Sequence, residues 1–400
     1  MVVYWLWLTT RKGLGREGLL TVLDCFDTPE RAYYGRREDY EDLPLSPEAR
    51  EALLDKSLDG AKRILDDCDR LGIEVMTLQD ARYPQRLRQI AQPPAVLYIK
   101  GRVFRFDEEA AIGIVGSRSP AQVSQVRAER FSMGLTSRGA LVVTGIAQGI
   151  DSSAIRGALM AGGPVVSLLA GGADIPYPRQ SQDLYHDVAA VGALVSEYPP
   201  GTPHRGEHFK PRNRIISGLT LGVLAVECER DSGTMLTVNH ALEQGREVYA
   251  VPIGLEERCA RGTNWLIKRK LAKLVEDERD ILEELWEHCP DKLTWRPALS
   301  PEQRAARQTD KPQEHSQEKP PPRQPVISRQ EQRERFTDDQ TELLAALAKR
   351  ELNADELVEK TQIPARRVLT ALTMLQVDGA VEERPGRRFR ALVELEGFNK

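Results

Sequence analysis

Between residues 111 and 251, short apolar runs alternate with segments of helical length, and few arrangements other than a covered parallel sheet accommodate such a pattern. The apolar runs are 111–115, 141–144, 165–169, 193–196, 221–226 and 248–251; the helical segments are 122–137, 154–160, 183–190 and 235–244. The alternation predicts an α/β fold with a mainly parallel sheet and helices on both faces. Ligands of such sheets bind in the crevice outside the carboxyl ends of the strands. Gly116, Gly145, Gly171 and Ser196 fall at those ends.

On either side of this region the pattern changes. Residues 1–100 read as mainly helical, with Thr28-Pro29 and Ser46-Pro47 each placing a capping hydroxyl before a proline. After Ser46, apolar residues recur at helical spacing from Leu53 until Gly72 ends the helix. Gly13-Leu14-Gly15, flanked by basic residues, reads either as an ordinary turn or as the hairpin of a helix-hairpin-helix DNA module. The sheet domain is expected over 101–295. Residues 296–332, rich in proline, glutamine and mixed charge, read as a flexible linker.

In the final domain, 333–400, three helical segments precede two short strands around Pro385-Gly386, the pattern of a winged helix-turn-helix. A capping box at Asn353 and Glu356 opens its second helix, and Pro364 opens the third. Arg366, Arg367, Arg387 and Arg388, with Arg390, either meet phosphate as a secondary DNA contact or form a solvated face on a protein-interaction module.

The net charge of −4 does not announce a nucleic-acid binder, so any such site must be local. No signal peptide or apolar run of membrane-spanning length is read, so no membrane partner is expected. The five widely spaced cysteines argue against a disulfide framework and point to a reducing cytoplasm.

Local cationic clusters do occur at the strand ends. Gly116-Ser117-Arg118 combines close backbone approach, a hydroxyl and a guanidinium immediately after a strand, a combination suited to phosphate. Gln148 and Gly149 lie in a second loop, where Asp151 reads as a helix N-cap; Ser232-Gly233-Thr234 and Gly262-Thr263-Asn264 make two further polar helix starts. The segment 209–218 crowds Lys210, Arg212, Asn213 and Arg214 before a strand-like run, as cations at a sheet edge. Arg212 or Arg214 can alternatively pair with Glu227 or Glu229 and serve structure alone. Several anion sites along one edge suit an extended sugar-phosphate chain.

Neither GxGxxG nor GxxxxGK[ST] occurs, which disfavours standard NAD and ATP sites. The histidines form no HExxH, no metal-ligand spacing is present and nothing resembles GxSxG. A binding protein without cofactor, metal or catalytic residues is therefore expected over an enzyme.

The segments Val115–Arg118, Gly145–Asp151, Leu169–Pro178, Ser196–Gly201, Arg212–Gly218, Ser232–Thr234, Ala241–Val248 and Gly262–Ile267 resemble, in order, the DNA-processing protein A (DprA/Smf) family. Tyr83-Pro84 and Pro93–Tyr98 look like that family's lead into its sheet, so the likeness covers about residues 80–275. The resemblance implies an extended Rossmann-like core that binds single-stranded DNA, forms a homodimer and helps load RecA recombinase in natural transformation. It implies a phosphate pocket around Gly116, Ser117, Arg118, Gln148, Lys210, Arg212, Asn213 and Arg214. It also implies an N-terminal helical domain of sterile-alpha-motif (SAM-like) type and a C-terminal winged helix.

One departure is Ile155, where many members carry a histidine before Arg-Gly, so a weakened pocket edge is expected there, with Arg156 as a partial substitute. The competing reading is a nucleotide phosphoribohydrolase. Against it, Ser232–Val238 lacks that group's double glycine and glutamate.

Overall fold

The computed structural model describes residues 1–146, 148–178, 181–254, 260–294, 326–348, 350–384 and 388–396. They belong to two compact units, Met1–Ala298 and Leu299–Lys400.

The first unit is built on a nine-stranded sheet. Its strands in chain order are β1 Ile73–Thr77, β2 Val96–Gly101, β3 Ala111–Val115, β4 Leu141–Gly145, β5 Val165–Leu168, β6 Ala193–Ser196, β7 Gly222–Ala225, β8 Glu247–Ala250 and β9 Lys273–Leu274. They lie side by side as β1-β2-β6-β5-β4-β3-β7-β8-β9. Neighbours from β6 to β9 are parallel, while β2 runs antiparallel to both β1 and β6.

Side-chain alternation along the strands sorts the interior into two cores. Ile112 and Ile114 of β3 join Trp5, Leu6, Trp7, Leu8 and the other N-terminal helices on one face. Ala111 and Val115 join Ile215, Ile216, Val238 and Leu266 on the other. Burial on both faces explains why the strands read as short, nearly continuous apolar runs.

The sheet extends further than the sequence pattern indicates. β1 and β2 precede the boundary expected at 101, and two-residue β9 is too short to leave a periodic signal. The N-terminal region is helical up to β1, with Thr28 and Ser46 accepting from Arg31 N and Ala49 N as capping residues. The expected long helix after Ser46 is two helices, Pro47–Leu54 and Asp59–Leu71, and Gly72 closes the second in the left-handed conformation. Gly13 and Gly15 both have positive φ and form a turn, while Leu14 enters the core. The flanking cations are taken: Arg11 by Asp55, Lys12 by Glu48 and Arg16 by Glu197, each at 3.1 Å.

Among the described residues of the second unit, β10, Val326–Ile327, and the start of a helix, Arg329–Arg335, fall in the segment expected to be linker. Helices Asp338–Leu347, Ala354–Thr361 and Ala365–Val377 follow, with β11 Leu352–Asn353, β12 Val381–Arg384 and β13 Arg388–Ala391 forming an antiparallel sheet. β14, Glu394–Leu395, pairs parallel with β10. This is the winged-helix order, and the Asn353–Glu356 capping box is present. Among the described residues, no helix is long and apolar enough to cross a membrane.

Candidate nucleic-acid interface

The sheet order reverses at β3, which has β4 on one side and β7 on the other. The crevice at such a reversal is left open because the helices following its two strands lie on opposite faces. Here it forms a cleft of about 690 Å³ lined by the loop after β3, the loop after β7 and the helix Gly206–Gly218. It brings together Gly116, Ser117, Arg118, Lys210, Arg212, Asn213, Ser232, Gly233 and Thr234, joined by Asp151, Phe209, Glu227 and Glu229.

The floor continues the β3–β7 ladder past its strands: Val226 N donates to Val115 O at 3.1 Å and Ser117 N to Glu227 O at 2.9 Å. Ile150 N then donates to Ser117 O at 3.1 Å, pressing the start of helix Ile150–Met160 against the same turn. This packing requires two glycines. A Cβ on Gly116 would lie 2.4 Å from Ile150 Cγ1, and one on Gly149, at φ +79°, would lie 2.3 Å from Ser117 O. Gly149→Ala is therefore expected to destabilise the protein by at least roughly 1–3 kcal/mol from backbone strain alone. An unchanged denaturant midpoint would contradict this packing account.

The remaining wall is the helix Gly206–Gly218, where the sequence suggested cations at a sheet edge. Pro211 lies inside this helix, and an internal proline masks helical character in a sequence reading. Arg118 and Lys210 are exposed, and neither makes an ion pair among the described residues. The Arg118 guanidinium lies 4.5 Å from the centroid of the half-buried Phe209 ring.

Arg212 behaves differently. Only 6% exposed, it donates from Nη1 to the Leu168 carbonyl at the end of β5 and from Nε to Asn213 Oδ1 at 3.3 Å. Burial pulls its pKa below the ordinary arginine value; the charge of Asp151 opposes that effect and Arg118 adds to it. Asn213 Nδ2 in turn donates to Gly233 O at 3.1 Å, joining the helix to the start of helix Gly233–Glu243. Ser232 at that start gives its hydroxyl to Glu229 O at 2.7 Å, so its side chain does not cap the helix's first N–H groups.

Several expected site residues lie elsewhere. Arg214, 5% exposed, donates to Glu197 Oε1 at 2.6 Å and Oε2 at 3.0 Å, and to Gln92 O at 2.8 Å. Neither Arg212 nor Arg214 pairs with Glu227 or Glu229; the Glu227 carboxylate accepts from Ala121 N at 3.0 Å. Asn264 lies within the helix Ala260–Lys268, not at a helix start, and exchanges hydrogen bonds with Ile253 O at 2.7 Å and Ile253 N at 3.1 Å. Gln148 is exposed in the turn before Ile150, outside the cleft lining. Gly149 supports the cleft from behind. Asp151 is not the N-cap, a position held by Gly149, but sits one residue inside the helix. Ile155 does not border the cleft; it is fully buried in the core, so no pocket edge is reshaped there.

In the second unit, Arg367 pairs with Asp339 at 2.6 Å and Arg388 with Glu356 at 3.3 Å. Arg366 is exposed. Arg387 lies outside the described residues. Phe209, Asp151 and Glu227 complete the cleft, although sequence reasoning did not select them as ligand contacts. For Phe209 the available signal was an aromatic residue directly beside Lys210. Among the described residues, no group of three or more His, Cys, Asp or Glu side chains is arranged to hold a metal.

Residues 74–286 match the family described as DNA recombination-mediator protein A, and residues 317–387 match the DprA winged helix domain. The chain is 38% identical over 223 residues to the DNA processing protein DprA of Bacillus subtilis, covering 56% of this chain and 75% of that protein. It is 32% identical over 295 residues to the protein Smf of Synechocystis, covering 70% of this chain and 72% of that one. The X-ray structure of DprA from Streptococcus pneumoniae superposes with a TM-score of 0.64 at 27% identity, covering 71% of this chain and 98% of that one. With more than half of its length matched, including the loops that build the cleft, the chain belongs to the DNA recombination-mediator protein A (DprA/Smf) family of DNA-processing proteins.

Proposed function

We propose that this protein is a single-stranded DNA-binding recombination mediator that protects incoming DNA and helps load RecA recombinase during natural transformation. In this reading it acts without catalysis or cofactor, in the cytoplasm, as a homodimer built on a Rossmann-like core with SAM-like N-terminal helices. The observation that carries the DNA assignment is the cleft at the β3 reversal, where exposed Arg118 lies over the Phe209 ring and exposed Lys210 lines the same wall, beside a helix start that its own N-cap side chain leaves uncapped.

These parts suit the two chemistries of a single strand. Arg118, Lys210 and the N–H groups of Gly233 and Thr234 supply phosphate contacts, while an aromatic face supplies sequence-tolerant stacking. Arg212 and Asn213 hold the wall in position and present whatever donor capacity their internal bonds leave. Recombinase loading and dimerisation rest on family membership.

Oligonucleotides of graded length, titrated at several salt concentrations, test the DNA assignment. Affinity is expected to rise with length to a plateau and to fall with salt, with a log–log slope of about −0.7 per phosphate neutralised. Release of free base from nucleoside monophosphates, with binding indifferent to strand length, would instead favour the phosphoribohydrolase.

A further inference from the structure

Three carboxylates border the cleft, and they differ in what holds them. Asp151 is buried, and its charge acts on Arg212. Glu227 is 1% exposed and accepts from Ala121 N. Glu229 is exposed and its carboxylate makes no ion pair among the described residues, although its backbone carbonyl accepts from Ser232 N at 3.2 Å and Ser232 Oγ at 2.7 Å. The adjoining Arg230 does not neutralise it. That guanidinium lies 5.5 Å from the centroid of the Trp265 ring, and Arg230 is not part of the cleft lining.

The cleft therefore offers a strand two kinds of uncommitted charge. Arg118 and Lys210 stand at the wall helix, with Arg118 over Phe209, whereas Glu229 stands on the loop after β7. A phosphate set against Glu229 would be repelled. The base is the part of a nucleotide that satisfies a carboxylate, because its Watson–Crick edge carries N–H donors and is open in a single strand. The four bases are not equivalent partners. Guanine presents N1–H and N2–H side by side, matching the two oxygens of a carboxylate. Adenine and cytosine set one amino group beside a ring-nitrogen acceptor, and thymine sets one N–H between two carbonyls, so each brings a lone pair against the carboxylate.

We infer that Glu229 reads guanine in the bound single strand, accepting from N1–H and N2–H while the phosphates lie toward Arg118 and Lys210. The inference rests on the cleft being the DNA site. In a duplex the same edge of guanine is taken up by cytosine, so Glu229 meets phosphate without a base donor and also selects against paired DNA.

The test uses the full chain and a fluorescently labelled all-thymine strand of the plateau length, with one thymine replaced by guanine at each position in turn. At the best position guanine is expected to tighten binding by about fivefold or more, the worth of one bidentate base contact. Deoxyinosine there, which lacks the N2 amino group, is expected to lose most of the gain; 7-deazaguanine, which keeps the Watson–Crick edge, is expected to retain it. Glu229→Gln keeps the side chain's size but sets an amide donor against the guanine N–H groups. It is expected to reduce the guanine effect to below about twofold and to strengthen binding of the all-thymine strand, from which a negative charge has been withdrawn. Equal affinity for guanine and thymine at every position would overturn the inference, as would full binding of deoxyinosine or a guanine preference that survives Glu229→Gln. All-thymine binding left unchanged by Arg118→Glu would instead overturn the cleft reading, and the inference with it.

Discussion

Arg118→Glu is expected to weaken binding to a single-stranded oligonucleotide by tenfold or more, about 1.4 kcal/mol or greater, while leaving the fold intact. The side chain is exposed, makes no ion pair among the described residues and rests on Phe209, so its replacement breaks no buried network. Reversal removes attraction to phosphate and adds repulsion, and the magnitude of the log–log salt slope should fall by about 0.7 if one phosphate contact is lost. Lys210→Glu tests the second exposed cation of the cleft with the same expected direction. Equal affinity for the parent and both variants at low salt, with unchanged thermal melting, would refute the cleft as the DNA site.

Arg214→Ala should behave in the opposite manner, with a large loss of stability. Glu197 is partly buried between Arg214 and Arg16, and removing one cation leaves a carboxylate short of compensation, at a cost of roughly 1–3 kcal/mol. Burial pushes the Glu197 carboxyl upward, but the two arginines outweigh it and hold its pKa below the ordinary value. A lowered folded-state pKa gives stability that is fully present above the unfolded value, about 4.3, and is lost as pH falls through the lowered value. In Arg214→Ala that lowering is weakened. The stability difference from the parent should therefore be large near pH 7 and narrow below about pH 4. A difference under about 1 kcal/mol, or one that does not change with pH, would show that the ionic triad contributes little.

The contrast between these arginines marks the limit of the sequence reading. The central strands were legible because both faces are buried, and the winged helix because its caps and periodicity are local. β1 and β2 were obscured by a helical neighbourhood, and the wall helix by Pro211. The cleft's glycine-rich turn was legible because close approach at Gly116 and Gly149 restricts residue type. Arg212 and Arg214 looked equivalent because only the third dimension reveals that one meets Leu168 and the other Glu197. Asn264 looked like a ligand contact because nothing local betrays its bonds to Ile253.

The helix Gly206–Gly218 therefore serves as a common beam. Phe209 and Lys210 stand at the cleft, while Arg214, about one turn further along, is bolted through Glu197 to Arg16 of the N-terminal helices. A load applied where a strand would lie is borne at the far end by a partly buried ionic joint. The N-terminal helices thus form the abutment against which the binding wall is braced.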